Sequence, residues 1–116
     1  MNRGYKDFIV WKKAMELVVE IYKITDKFPK SELFGLTSQM RRCAVSIPSN
    51  IAEGSRRKNK KDTLHFYIIA FGSGSELETQ IELAKLLDFC GSAVFSKADD
   101  LLGEIMKMLN KITSTY

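Results

Sequence analysis

Apolar residues recur every three or four positions through almost the whole chain, in four stretches separated by short polar breaks. That period puts them on one face of an α-helix and does not match the strict alternation of a half-buried strand. The last stretch shows it most plainly: Ala98, Leu101, Ile105, Met108 and Ile112 form a heptad-like seam, which Leu102 and Leu109 widen. Ser96, with Asp99 three residues on, makes a capping-box-like start, Asp replacing the usual Glu or Gln.

The first stretch predicts a helix over Phe8–Phe28, with Asp7 as N-cap and Pro29 as its stop. It carries two apolar rows. One is Phe8, Trp11, Met15, Val18 and Tyr22; the other is Val10, Ala14, Leu17, Ile21, Ile24 and Phe28. Together they cover about half the helix circumference, wider than one bundle seam requires. Such a helix is either deeply buried or offers a second face to another copy.

After a short connection, Lys30–Gly35, the second stretch predicts a helix over Leu36–Arg57 with Pro48 in its middle. Proline removes one backbone donor and crowds the preceding turn, so a kink is expected near Ser46-Ile47-Pro48. Ile47, Ile51 and Ala52 carry the period across it, and Ser46 and Ser49 are placed to satisfy the freed backbone groups. The third helix is expected over Lys60–Phe89, capped by Asn59, with Asp62 at the third helical position and Gly91 as the C′ residue. Its main stripe is Tyr67, Ala70, Gly74, Leu77, Ile81 and Ala84. Gly72 and Gly74 each cost about 1 kcal/mol against alanine in mid-helix. Close helix–helix approach is the simplest offset, because no phosphate-loop pattern accompanies them.

Four helices of roughly 20 to 30 residues joined by short turns imply antiparallel neighbours. The expectation is an all-α, antiparallel up-down-up-down four-helix bundle, a single domain over residues 1–116. With 45% hydrophobic and 28% charged residues the chain is balanced as globular proteins are, and long enough to bury a core without staples. Cys43 and Cys90 stand far apart and form no CxxC pair, so two reduced thiols are expected. The N-terminus lacks the apolar segment of a signal peptide, and no run reaches the roughly 18 apolar residues of a membrane span; a cytoplasmic protein without membrane contact follows as the expectation.

Catalytic chemistry finds little to use. His65 is the only histidine. A di-iron bundle needs two Glu-x-x-His motifs, and the single run here is Asp62-Thr63-Leu64-His65. Zinc ligands are not clustered, and no motif brings a nucleophile to His65. Seven residues separate Arg57 from His65, too many for the arginine–histidine motif of helical RNases. The reading is a non-enzyme without cofactor or metal. Glu78 and Glu82 share a helix face, most simply a solvated one, and Glu53 or Glu76 is a candidate ion-pair partner for Arg41 or Arg42 across the bundle.

The charge distribution is the stronger lead. The net charge is +4, but residues 1–61 hold 14 basic against 6 acidic side chains and residues 62–116 hold 4 against 8. That polarity suits head-to-tail contact between copies, or one basic face offered to a polyanion. Arg56, Arg57, Lys58, Lys60 and Lys61 crowd one turn, with Arg41 and Arg42 earlier in the same helix. These seven are the candidate nucleic-acid contacts, since clustered cations neutralise phosphates and release counterions. A charged turn is also simply a soluble turn, and stacking aromatics are not interleaved with it.

Three blocks carry a resemblance: Trp11-Lys12-Lys13-Ala14; Phe28-Pro29 with Glu32-Leu33-Phe34-Gly35-Leu36; and the run from Gln39 through Arg41-Arg42-Cys43 and Ser46-Ile47-Pro48-Ser49-Asn50-Ile51-Ala52-Glu53-Gly54, joined by Gly72-Ser73 and Glu76-Leu77-Glu78-Thr79-Gln80. Over roughly Tyr5 to Gly91 the chain resembles the four-helix-bundle proteins encoded in intervening sequences of bacterial large-subunit ribosomal RNA genes. That family is similar to the accessory variability determinant of diversity-generating retroelements. Cys43 stands where the family usually has Ala. The resemblance implies an antiparallel four-helix bundle, a ring-like homo-oligomer, in similar proteins a pentamer, and association with RNA or DNA and, in the retroelement relative, with a reverse transcriptase. The motif residues Ser46, Pro48, Asn50, Glu53, Gly54, Gly72, Ser73 and Glu76 read as structural: Pro48 for the kink, Ser46 and Asn50 for backbone bonds, Gly54 and Gly72 for close packing. Two functions stand side by side: a non-catalytic homo-oligomeric scaffold that binds nucleic acid, or a protein-interaction module whose basic turn is only solvated.

Overall fold

Each apolar stripe becomes one helix. In the computed structural model, which describes residues 4–115, these are α1 (Ile9–Thr25), α2 (Leu36–Ser55), α3 (Lys60–Leu86) and α4 (Ser96–Ser114). Short 3-10 turns at Gly4–Asp7, Lys30–Glu32 and Ser92–Phe95 complete the described elements. α1 packs on α2 and α4, and α3 packs on the same two, so the helices close a four-helix bundle around one core. Its extents are 43 × 27 × 23 Å, the long axis matching the roughly 40 Å of a 27-residue helix. No helix of the described residues is long and apolar enough to cross a membrane.

The two rows of α1 have different fates. Val10, Ala14, Leu17, Ile21, Ile24 and Phe28 are all buried, whereas Phe8, Met15 and Tyr22 stand 41–44% exposed. Trp11 and Val18 of that second row pack partly against the core, so the chain leaves a narrower strip of the wide face open. Leu17 and Ile21 meet Met40, Ile47 and Ile51 of α2, Leu77 and Ile81 of α3 and Ile105 and Leu109 of α4 in a single buried cluster. Each such side chain contributes about 2 kcal/mol of burial.

Several helix ends differ from the sequence expectation, each for a local reason. Asp7 is not the N-cap of α1. It closes the Gly4–Asp7 turn, and Phe8 occupies the cap position with extended backbone and no side-chain cap bond. α1 stops at Thr25, because the residue before a proline is pushed away from helical backbone. The chain then tightens through Lys27 N–H to Ile24 O (3.0 Å) and Phe28 N–H to Thr25 O (3.1 Å), and Phe28 still reaches the core against Phe89. α2 ends at Ser55, two residues short of Arg57, as Arg56 N–H and Arg57 N–H turn back to the carbonyls of Glu53 and Gly54.

α3 ends at Leu86, and its C′ residue is Asp88 rather than Gly91. Asp88 takes the left-handed φ of 56°, with Phe89 N–H on Ala84 O (3.2 Å) and Asp88 N–H on Lys85 O (3.1 Å), the two bonds of a Schellman motif. Gly91, extended, instead opens the Ser92–Phe95 turn. That turn runs straight into α4, so Phe95 is already helical at the cap position and Ser96 makes no cap bond. Asp99 turns to Lys85 Nζ of α3 at 2.8 Å instead. The Asn59 cap is as expected: Asn59 Oδ1 accepts from Asp62 N–H at 2.9 Å, and Asn59 Nδ2 donates to Asp62 Oδ2 at 3.1 Å.

Candidate nucleic-acid interface

The basic turn is held from both sides. At its α2 end, Gly54 lies under the ring of Tyr67, where a Cβ would stand 2.9 Å from Tyr67 Cε1 and 3.0 Å from Phe66 Cβ. Only glycine lets α2 and α3 approach so closely. At its α3 end the Asn59–Asp62 cap sets the first helical turn. Between these anchors only the short Arg57–Asn59 link joins α2 to α3.

Two of them are partly engaged. Arg57 lies 3.5 Å from Glu53 Oε2 and 4.6 Å over the Phe66 ring, and Arg56 lies 5.3 Å over the Tyr5 ring. Tyr5 had not suggested itself from the sequence, because the turn that carries it at the N-terminus meets the end of α2 only after folding. Lys58, Lys60 and Lys61 are exposed and make no ion pair among the described residues. Lys60 and Lys61 occupy the first turn of α3, where the helix dipole disfavours cations by some tenths of a kcal/mol. Stability alone does not ask for lysines there.

Arg41 and Arg42 lie elsewhere. They stand about 20 Å along α2 from Arg56, at 1.5 Å per residue. Arg41 is occupied as a tie between α1 and α2: its Nε donates to Thr25 Oγ1 (2.9 Å), its Nη2 to Asp26 Oδ1 (3.0 Å), and its guanidinium covers the Tyr22 ring at 4.5 Å. Arg42 donates to Ser38 Oγ at 3.2 Å. The suggested pairing of Glu53 or Glu76 with Arg41 or Arg42 does not form. Glu53 takes Arg57, Glu76 accepts from Gln80 Nε2 at 3.5 Å, and Arg41 finds the carboxylate of Asp26 at the end of α1.

The motif residues divide as well. Ser46 Oγ and Ser73 Oγ share a hydrogen bond of 2.8 Å between α2 and α3. Asn50 Nδ2 donates to Ser46 O (2.8 Å) and Ser46 Oγ (3.0 Å); the carbonyl that buried Pro48 leaves without its helical N–H is that of Ala44, so this bond is not the one expected of Ser46 and Ser49. Gly72, expected to allow close packing, is exposed, and a Cβ there would meet nothing within 4 Å; the close approach belongs to Gly74, where a Cβ would overlap Met106 Sδ. The apolar period places Gly74, not Gly72, on the stripe of the third helix, and the contact follows that period; the close packing assigned to Gly72 came from the motif.

A polar cleft of about 390 Å³ opens between α2 and α3, lined by Gln39, Arg42, Cys43, Ser46, Ser73 and Glu76. The Cys43 thiol donates to Ser73 O at 3.0 Å. Burial foremost, and then the nearby Glu76 charge, push its pKa up to about 12, against a smaller lowering by the Leu77 backbone. It is a protonated, structural thiol at neutral pH. Cys90 is free too, with its thiol raised chiefly by burial. His65 is exposed, edge-on to Phe66. No group of three or more His, Cys, Asp or Glu among the described residues is arranged to hold a metal ion.

No curated protein matches the chain. Among solved structures, the fold is similar to that of a protein of unknown function from the S23 ribosomal protein family of Bacteroides thetaiotaomicron VPI-5482, with a TM-score of 0.83 and 24% identity over 90% of this chain and 98% of that one. At that identity the likeness is one of fold. The sequence itself reaches further: residues 6–111, from the turn before α1 into the last turn of α4, match the family described as 23S rRNA-intervening sequence protein, and the chain belongs to that family.

Proposed function

We propose that this protein is a non-catalytic, homo-oligomeric scaffold that binds RNA or DNA through the basic end of its bundle. The reading includes the alternating helix directions and the bend at Pro48 that the sequence implies, a ring-like assembly, pentameric as in similar proteins, and service to a ribosomal RNA or a reverse-transcription complex in the cytoplasm. The observation that carries it is the cluster of exposed Lys58, Lys60 and Lys61, without an ion pair among the described residues, beside Arg56 and Arg57 on a turn anchored by Gly54 and Asn59. Cations placed against a helix dipole, with no ion pair among the described residues, are suited to an anion from outside. Self-association is supported by the half-exposed row Phe8, Met15 and Tyr22 on α1, and a ring would repeat the basic end and add avidity.

The test is anisotropy titration of labelled RNA and DNA at 50 and 200 mM salt. Five phosphate contacts imply a loss of affinity on the order of 10²-fold across that range. Changing Arg56, Arg57, Lys58, Lys60 and Lys61 together to Ser should abolish most of the salt dependence; unchanged affinity in that variant rejects the site. The second reading, a protein-interaction module, is favoured by one observation: Ile68, Leu83 and Leu86 of α3 are 54%, 44% and 81% exposed. A partner captured after nuclease treatment, with no nucleic acid bound at low salt, would select it.

A further inference from the structure

Arg42 of α2 and Glu76 of α3 line one polar cleft and do not answer each other's charge. They do not come within the 4.0 Å of an ion pair, and neither pairs with any other charge among the described residues. Arg42 places one N–H on Ser38 Oγ and keeps the rest of its fork; Glu76 receives only Gln80 Nε2, at the long distance of 3.5 Å. Opposite charges on neighbouring helices that share a cleft ordinarily close on each other, as Lys85 and Asp99 do at 2.8 Å.

The wall between them is built rather than loose. Ser46 and Ser73 are joined hydroxyl to hydroxyl at 2.8 Å, Asn50 Nδ2 fills a further position on Ser46 Oγ at 3.0 Å, and the Cys43 thiol is tied to Ser73 O. In the hydroxyl pair one O–H remains unspent, because only one of the two donates to the other. Beneath Glu76, buried Gln80 gives its amide nitrogen to the carboxylate, and that long bond is the one donor Glu76 receives among the described residues. The Glu76 end of the cleft thus offers acceptors with little to answer them, while the Arg42 end offers unspent N–H groups.

That polarity selects the ligand. A simple ion answers one charge and leaves the other. A nucleobase asks for a ring to stack on, and no aromatic side chain lines the cleft. An apolar molecule would strand every group in it. We infer that the cleft is a binding site for a small zwitterion of the α-amino-acid class, with its carboxylate on the Arg42 fork and its ammonium on Glu76. The planar guanidinium matches a carboxylate through two parallel bonds, and an ammonium supplies the three donors that the Glu76 end lacks. The site is separate from the basic turn and does not depend on nucleic-acid binding.

The experiment is isothermal titration calorimetry of the full chain with each of the twenty proteinogenic L-amino acids, repeated for any binder with its N-acetyl and C-amide forms. At least one amino acid should bind saturably below about 10 mM, and each blocked form should bind at least about tenfold more weakly, as loss of a charge-assisted bond requires. R42Q and E76Q, both changes of exposed side chains, should each lower the affinity by a similar factor with helical circular dichroism intact. The blocked forms keep the test decisive on the unaltered protein if a variant misfolds. No saturable binding, equal binding by the blocked forms, or equal binding by folded R42Q and E76Q overturns the inference. So does a change of oligomer mass in those variants without amino-acid binding, which would make the cleft a protein contact.

Discussion

Gly74 of α3 lies directly beneath the side chain of Met106 of α4, so that a Cβ at position 74 would overlap Met106 Sδ. Half a turn away, Gly72 faces open space. Two glycines two residues apart therefore have opposite meanings. Alanine at 72 gains helix propensity and meets nothing, so G72A should stabilise the protein by up to about 1 kcal/mol. Alanine at 74 gains the same propensity but displaces Met106 from its seat, and G74A should destabilise by about 1 kcal/mol net. Urea denaturation measures both. In an M106A background the penalty at 74 should vanish and G74A should turn stabilising.

Arg41 joins α1 to α2 mainly through a hydroxyl and a ring. Its Nε meets Thr25 Oγ1 at 2.9 Å and its guanidinium covers Tyr22, whereas its ion-pair partner Asp26 is 78% exposed. An exposed partner adds little in high dielectric. R41A should therefore cost about 1–2 kcal/mol, and D26N less than about 0.5 kcal/mol. If the two substitutions cost the same, the tie is ionic and this account of Arg41 is wrong.

The two helix starts that look alike in sequence should respond differently. Asn59 accepts from Asp62 N–H at 2.9 Å, so N59A should cost about 1 kcal/mol. Ser96 makes no cap bond because the preceding turn is already helical, so S96A should fall within about 0.5 kcal/mol of the parent. Thermal melts of the two variants, read against each other, check the pair.

The Cys43 thiol, pushed up to about 12, holds on the order of a thousandth of the thiolate of an ordinary cysteine at pH 8, and iodoacetamide should modify it correspondingly slowly until the protein unfolds. Its folded pKa lies above the unfolded one. The thiol's contribution is thus fully present below the unfolded pKa and is lost as pH rises from about 9 towards about 12. C43A should flatten the alkaline limb of a stability–pH profile measured in denaturant. An unchanged limb would assign that loss to other groups, such as Lys85, which its hydrogen bond to Asp99 holds above the usual lysine value.

Much of this protein was legible from period and punctuation alone. Four helices, their order, the buried row of α1, the stripe of α3 and the Asn59 cap all follow from interactions within a few residues, and a helix writes those at fixed spacing. The helix ends were less legible. Asp7, Ser96 and Gly91 have the right chemistry for caps, but turns just before or after them absorb the chain first, and Asp88 accepts the left-handed backbone that glycine was expected to take.

What the sequence determined by itself was therefore the set of helices, the family and the crowding of five cations into one turn, since each depends on neighbours along the chain. Only the tertiary structure decided that Arg41 is occupied, that Arg42 and Glu76 share a cleft without pairing, that Arg56 lies over Tyr5, and that Met106 is what stands over Gly74. Those are facts of azimuth and register between helices. A 3.6-residue repeat fixes which residues share a face but leaves open what stands opposite that face until the four helices close on one another.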